Sequence, residues 1–280
     1  IRDRLNSVTV LPSEEIEINA ETFIEDYTNF NKEITYSNKN LHVLSKQTIG
    51  FISKLTKLVL YNNNIRAINA TTFEKLNKLR ELSISNNARG EMRIEAFAFQ
   101  GLSMLERLYL EQNLIESVKN SIFAGLDNLN FLSLSKTNIK LFEEESFKTG
   151  LLSLAELDLS KTSFTVLKNA TFSGLNRLKM LTLSDSNLSK IETNAFNGLS
   201  SLTELDLSNT KLDSLTNGTM AGLGNLKKLS LKRSPVKALS AQAFIGLSKL
   251  IELDLSNTQV ETLKSGTFYG LDNLSELTLL

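Results

Sequence analysis

The phrase LxxLxL recurs along this chain at a nearly fixed interval, and such an interval dictates a stack of similar coils before any single residue is weighed. LTKLVLYNNNIRAINATTFEKLNK begins at Leu55, LERLYLEQNLIESVKNSIFAGLDN at Leu105, LTELDLSNTKLDSLTNGTMAGLGN at Leu202 and LIELDLSNTQVETLKSGTFYGLDN at Leu250. With the first position of the phrase as phase, units start at Leu5, Asn31, Leu55, Leu79, Leu105, Leu129, Leu154, Leu178, Leu202, Leu226, Leu250 and Leu274. The spacing is 24 residues, except 26 after Leu5 and Leu79 and 25 after Leu129, where small loop insertions are expected. The first two units are degenerate: Ile34, Tyr36, Leu41 and Leu44 fill apolar positions, whereas Asn31 and Lys39 do not.

Within a unit, LxL has period two, so it predicts a short strand with leucines inward and the intervening residues outward. A polar turn position follows: Asn63, Asn87 and Asn113, then Thr137, Thr162, Ser186, Thr210, Ser234 and Thr258. A buried turn holds backbone groups that cannot reach water, and an inward amide can pair with them from coil to coil. Asparagine offers both donors and an acceptor for this; Thr and Ser offer fewer bonds. The pairs Ile68/Phe73, Val118/Phe123, Leu167/Phe172, Ile191/Phe196 and Leu263/Phe268 return the chain along the outer face and cap the core. One coil cannot bury its own leucines, but stacking buries them all. The units at Leu154, Leu202 and Leu250 share ELDLS, which suggests a duplicated 48-residue pair.

This pattern resembles the leucine-rich repeat family over essentially the whole chain. Within that family it is similar to the typical 24-residue animal extracellular subclass of Toll-type receptors, Slit-like guidance proteins and invertebrate leucine-rich immune proteins. The plant receptor signature Gly-x-Ile-Pro is not matched, since Pro12 and Pro235 are the only prolines and neither recurs in register. The ribonuclease-inhibitor subclass has longer units with a full helix. The resemblance implies an α/β solenoid: a right-handed horseshoe with short parallel strands on the concave face and a mostly irregular outer face. One continuous domain is expected over residues 1–280, a fragment without the cysteine-rich caps of the subclass.

Composition narrows the function. Thirty-one Lys and Arg balance thirty-one Asp and Glu, so no net basic field draws in polyanions, and no nucleic-acid partner is expected. Cysteine is absent and His42 is the only histidine, which removes thiol nucleophiles, disulfides and Cys/His zinc sites. No catalytic residue, metal or cofactor is expected, and the chain does not read as an enzyme. Apolar runs are too short to cross a bilayer, so no membrane contact is expected within this segment.

Outward residues of successive strands should form the concave face, which by resemblance is the binding surface. In the first half it includes Val59, Tyr61, Arg107, Tyr109, Glu111 and Phe131, and aromatics beside an arginine are the composition of interaction hot spots. In the second half Glu156/Asp158, Glu204/Asp206 and Glu252/Asp254 face outward, with Lys179, Lys227, Lys228, Lys232 and Arg233 on the units between. Opposite charges on adjacent strands predict cross-strand pairs and a solvated face. The recurring aspartates, two strands or roughly 10 Å apart, are too distant to share a hydrolytic water. His42 reads as a solvated or loosely packed residue.

Five sequons occur, at Asn69, Asn169, Asn187, Asn217 and Asn273, and the first, second and fourth occupy nearly the same place in their units. The expectation is extracellular recognition, secreted or on a cell surface, of a protein or glycan ligand. By resemblance the context is innate immunity or receptor signalling, with homo- or hetero-oligomers formed on binding. The alternative is a structural or adhesive matrix protein that assembles through lateral contacts.

Overall fold

The structure is a computed structural model that describes residues 32–49, 52–87 and 89–279. The unit starts at Leu5 and Asn31 lie outside these residues. Eleven three-residue strands form one parallel sheet in sequence order. They run Glu33–Thr35, Lys57–Val59, Glu81–Ser83, Arg107–Tyr109, Phe131–Ser133, Glu156–Asp158, Met180–Thr182, Glu204–Asp206, Lys228–Ser230, Glu252–Asp254 and Glu276–Thr278. Register places the central residue of each strand against its counterparts, Leu58↔Leu82↔Leu108↔Leu132 and onward. These leucines are buried from Leu58 through Leu253. The inward and outward phase set by the period-two phrase is therefore the observed one.

After each of the first ten strands the chain enters a left-handed residue, such as Asn62 (φ 54°), Asn86 (φ 58°) or Asn209 (φ 52°), a conformation that Asn tolerates better than most. That reversal turns the next polar residue into the core. Asn87 Oδ1 accepts from Ile65 N at 3.1 Å and Asn87 Nδ2 donates to Ile84 O at 3.2 Å. Thr137, Thr162 and Ser186 instead bond to the carbonyl three residues back, at 2.7, 2.6 and 2.6 Å. The coil-to-coil bond reappears where Ser234 Oγ accepts from Thr210 N at 3.1 Å.

The outer face is more ordered than the sequence implied. Four two-stranded ladders pair Ala67–Ile68 with Arg93–Ile94, Ser117–Val118 with Leu141–Phe142, Val166–Leu167 with Lys190–Ile191, and Ser214–Leu215 with Ala238–Leu239. The α contribution to the expected α/β class shrinks, among the described residues, to the single turn Lys46–Ile49. Behind the ladders the phenylalanines stack: Phe73, Phe99, Phe123, Phe147, Phe172 and Phe196 follow one another at centroid spacings of 6.0–6.3 Å. Buried Met220 stands at the next place, and the stack resumes with Phe244 and Phe268 at 6.1 Å. Leu263 departs from its expected core role, being 46% exposed, because no later outer segment packs over it among the described residues. Coils approach so closely at Gly150 (φ +80°) that an added Cβ would lie 1.9 Å from Phe123 O.

Candidate ligand-binding face

The strand register decides which outward residues meet. Arg107 pairs with Phe131 and Tyr109 with Ser133 on the neighbouring strand, and the rings of Tyr109 and Phe131 lie 5.2 Å apart at 43°. The Arg107 guanidinium is held above its usual range, first by its hydrogen bond with Tyr109 and further by Glu81 and Glu156, so it stays cationic. Glu111 accepts from Ser85 Oγ at 3.2 Å, which steadies it at the edge of this group. Four of the six expected residues thus form one patch. Val59 and Tyr61 sit apart from it, because Val59 is in register with Ser83 and only through it with Tyr109, roughly 10 Å away at the usual strand spacing. Tyr61 is exposed.

Met180, which the sequence reading did not name, is a further exposed apolar residue on this face: the register Phe131↔Glu156↔Met180 puts it two strands from Phe131, with one carboxylate between, as far from the aromatic pair as Val59 is. The signal was present, since Met occupies a strand position where most other units carry a charge.

The second half of the face corrects the expected charge pairing. Lys228 bonds Glu252 at 3.2 Å, as Lys57 does Glu81 at 2.9 Å in the first half. Lys179 and Lys227, however, precede the first strand residue by one position, and parity turns them off the concave face onto the flank where the strands begin. Among the described residues neither makes an ion pair. The recurring aspartates serve the turns: Asp158, Asp206 and Asp254 each accept the backbone N–H two residues on, from Ser160, Ser208 and Ser256, at 2.8–2.9 Å. This turn bond accounts for part of the 48-residue period. Among the described residues no group of three or more His, Asp or Glu side chains could hold a metal ion, and no helix is long and apolar enough to cross a membrane. His42 is half-buried, its ring nitrogens 3.3 and 3.4 Å from Asn64 Nδ2.

All five sequon asparagines are exposed. Asn69, Asn169 and Asn217 lie just past the outer-face strands that end at Ile68, Leu167 and Leu215. Asn273 differs, since its side-chain nitrogen donates to Ser248 O at 2.6 Å. Asn225 and Asn128, at the same place in their coils, donate likewise to Ser200 O and Ser103 O at 2.6 and 2.8 Å.

The leucine rich repeat family matches residues 32–88, 93–139, 128–188, 177–236 and 224–279. The chain belongs to the leucine-rich repeat family. Toll-like receptor 3 of Boselaphus tragocamelus is 33% identical over 128 residues, covering 42% of this chain and 14% of that protein. Human (Homo sapiens) Toll-like receptor 3 is 30% identical over 120 residues, covering 40% and 13% respectively. The chain therefore spans a small part of the curated relatives that it matches. Among solved structures, the complex of TLR13 with ssRNA13 superposes with a TM-score of 0.77 at 28% identity, covering 88% of this chain and 36% of that one.

That last finding corrects the expectation that nucleic acid is excluded as a partner: a leucine-rich repeat solenoid of this shape is seen in complex with single-stranded RNA. The physical error lay in using the summed charge of the chain. Folding sorts charge by column, so a total of zero conceals an acidic concave half and a basic flank. Contacts to single strands also draw on aromatic stacking, which net charge does not report.

Proposed function

We propose that this chain is one continuous recognition domain of an innate-immunity receptor, facing the extracellular or endosomal side and acting without catalysis. Its ligand site on this reading is the patch Arg107, Tyr109, Glu111 and Phe131, with Val59 and Tyr61 as an outlying part. The observation that carries the site is the tilted Tyr109–Phe131 pair beside a guanidinium. Such a surface takes a ligand with a flat or apolar group to stack on the rings and an anionic or acceptor group for Arg107. A protein or glycan epitope with that pairing fits, and so does a base with its phosphate. The Toll-like receptor relatives support the receptor context, with homo- or hetero-oligomers on ligand binding, and they do not favour matrix assembly.

Because the solved neighbour holds single-stranded RNA, labelled single-stranded RNA is the first probe. Wild-type protein should bind it saturably, and a Tyr109→Ala, Phe131→Ala double variant should lose about tenfold or more in affinity, about 1.4 kcal/mol, with an unchanged thermal transition. Equal affinity in the two proteins would remove RNA recognition from this patch.

A further inference from the structure

Asn-Gly occurs twice in the chain, at Asn197–Gly198 and at Asn217–Gly218. In this dipeptide the glycine nitrogen can swing toward the side-chain carbonyl carbon of the asparagine, because the glycine has no Cβ to obstruct it. Both asparagines are exposed, and both glycines are left-handed, at φ +100° and +82°. Neither glycine N–H has a backbone acceptor among the described residues. The two pairs differ in room. A Cβ at Gly198 would lie 2.8 Å from Phe172 O and 3.1 Å from Ser173 Cα, and Asn197 N–H is tied to Asn194 O at 3.1 Å. A Cβ at Gly218 would meet only Thr193 Cγ2, at 3.6 Å, and among the described residues Asn217 has no hydrogen bond through its own N–H or its side chain. The two other sequons of this column hold the corresponding nitrogen in place. Ala70 N–H, after Asn69, donates to Glu95 Oε2 at 2.8 Å, and Ala170 N–H, after Asn169, donates to Asn194 O at 3.1 Å. Such a bond pins the peptide plane that an attack on the side chain would have to rotate.

We propose that Asn217 is a self-modification site, where a folded chain without a glycan loses the side-chain amide by intramolecular deamidation. Gly218 N gives its proton to hydroxide and attacks Asn217 Cγ, forming the N–Cγ bond. The Cγ–Nδ2 bond then breaks, and ammonia leaves with a proton taken from water, which returns the hydroxide. The product is a five-membered succinimide, and holding nucleophile and carbonyl within one dipeptide is what makes its closure competitive. Water opens the ring on either side of the nitrogen. Breaking the bond to Cγ leaves aspartate, and breaking the bond to the main-chain carbonyl carbon leaves isoaspartate, with the chain running through the side-chain carbon. One water is consumed and one ammonia released. The sequon makes the site a fork. Its Thr219 hydroxyl is buried, at 5% exposure, where it accepts from Thr216 N at 3.1 Å and lies 3.0 Å from Thr216 Oγ1. Folding closes this sequon, so a glycan reaches Asn217 before the turn forms, and a chain that folds without one keeps a bare amide that ages. A glycan on Nδ2 encumbers the attack and keeps the residue intact. Isoaspartate adds a carbon to the main chain inside the turn closed by Thr219 N–H on Thr216 O at 3.2 Å. Buried Met220 follows at once, the place where the phenylalanine stack is interrupted, so ageing loosens the stack there.

The test uses the chain made in a bacterial host that attaches no N-glycan, aged in mildly alkaline buffer and followed by peptide mass spectrometry with isoaspartyl methyltransferase labelling. Asn217 should convert to aspartate and isoaspartate about tenfold or more faster than Asn197, with Asn69 and Asn169 unchanged. In urea the two Asn-Gly pairs should convert at similar rates, since the contacts that crowd Gly198 are gone. Equal rates at Asn197 and Asn217 in the folded chain would overturn the proposal, as would an Asn217 that converts in urea and stays intact when folded. Ammonia release should fall in Asn217→Gln, whose closure to a larger ring is slower, and unchanged release would place the reaction elsewhere. Protein secreted from an animal cell tests the fork: isoaspartate should occur only in chains without a glycan at Asn217, and loss of that glycan on ageing would contradict the protection. The isoaspartate fraction should melt below Asn217→Asp, which carries the same charge without the added carbon. Coincident transitions would refute the loosening of the turn.

Discussion

The side-chain oxygen of Asn113 accepts the backbone N–H of Asn87, one coil earlier, at 2.7 Å. The same amide donates to Ile84 O at 2.7 Å and Leu110 O at 2.8 Å, so one buried side chain satisfies three backbone groups and rivets two coils together. Asn63 does the same for Lys39 N, Leu41 N and Tyr36 O, at 3.0, 3.3 and 2.7 Å. Removing Asn113 strands groups that water cannot reach, each costing about 1–3 kcal/mol. Asn113→Ala should therefore lower stability by several kcal/mol, and Asn113→Thr by less, because Thr keeps one bond to its own coil as Thr137 does. Chemical denaturation of the two variants checks this order, and equal midpoints would contradict it.

Neighbouring residues on one strand should respond on very different scales. Leu205 is buried and Asp206 half-buried, with its carboxylate on Ser208 N at 2.9 Å. Leu205→Asp places an unpaired charge in the core and should prevent cooperative folding. Asp206→Leu should cost only about 1–2 kcal/mol, the loss of one turn bond to a charged acceptor. Similar melting temperatures would mean that the phase is wrong.

Two glycines separate crowding from conformation. Both Gly150 (φ +80°) and Gly246 (φ +92°) are left-handed, but a Cβ at Gly150 would strike Phe123 O, whereas one at Gly246 meets nothing within 4 Å. Gly246→Ala should cost about 1–2 kcal/mol of backbone strain. Gly150→Ala should cost clearly more, since the coils must part. Denaturant titration of each variant against wild type gives the difference.

Glycan occupancy should follow geometry. Asn69, Asn169 and Asn217 are exposed on the outer surface and should carry glycans after secretion from an animal cell. Asn273, whose amide holds Ser248 O, should remain unmodified. Glycopeptide mass spectrometry reads each site, and full occupancy at Asn273 would contradict the structural role given to its side chain.

How much of this was legible beforehand follows from which interactions are local. The leucines of LxL fixed the strand, its register and its inward phase, because period two and a constant unit length leave a parallel stack only one consistent alignment. The difference between Asn113 and Thr137 was legible too, since the bonding capacity of a side chain belongs to the residue itself. The outer ladders were not, because a pair such as Val166–Leu167 with Lys190–Ile191 depends on how tightly stacked coils converge. Nor was the contact of Tyr109 with Phe131, which arises from rotamers chosen across two strands. The sequence by itself determined that this chain is a solenoid and which face each leucine takes. Only the tertiary structure decided where charge collects: Lys227 and Lys228 are adjacent in the chain, yet parity sends Lys228 to Glu252 on the concave face and Lys227 to the flank. Net charge is a sum that folding leaves unchanged, whereas the field that a partner meets depends on how that sum is divided in space.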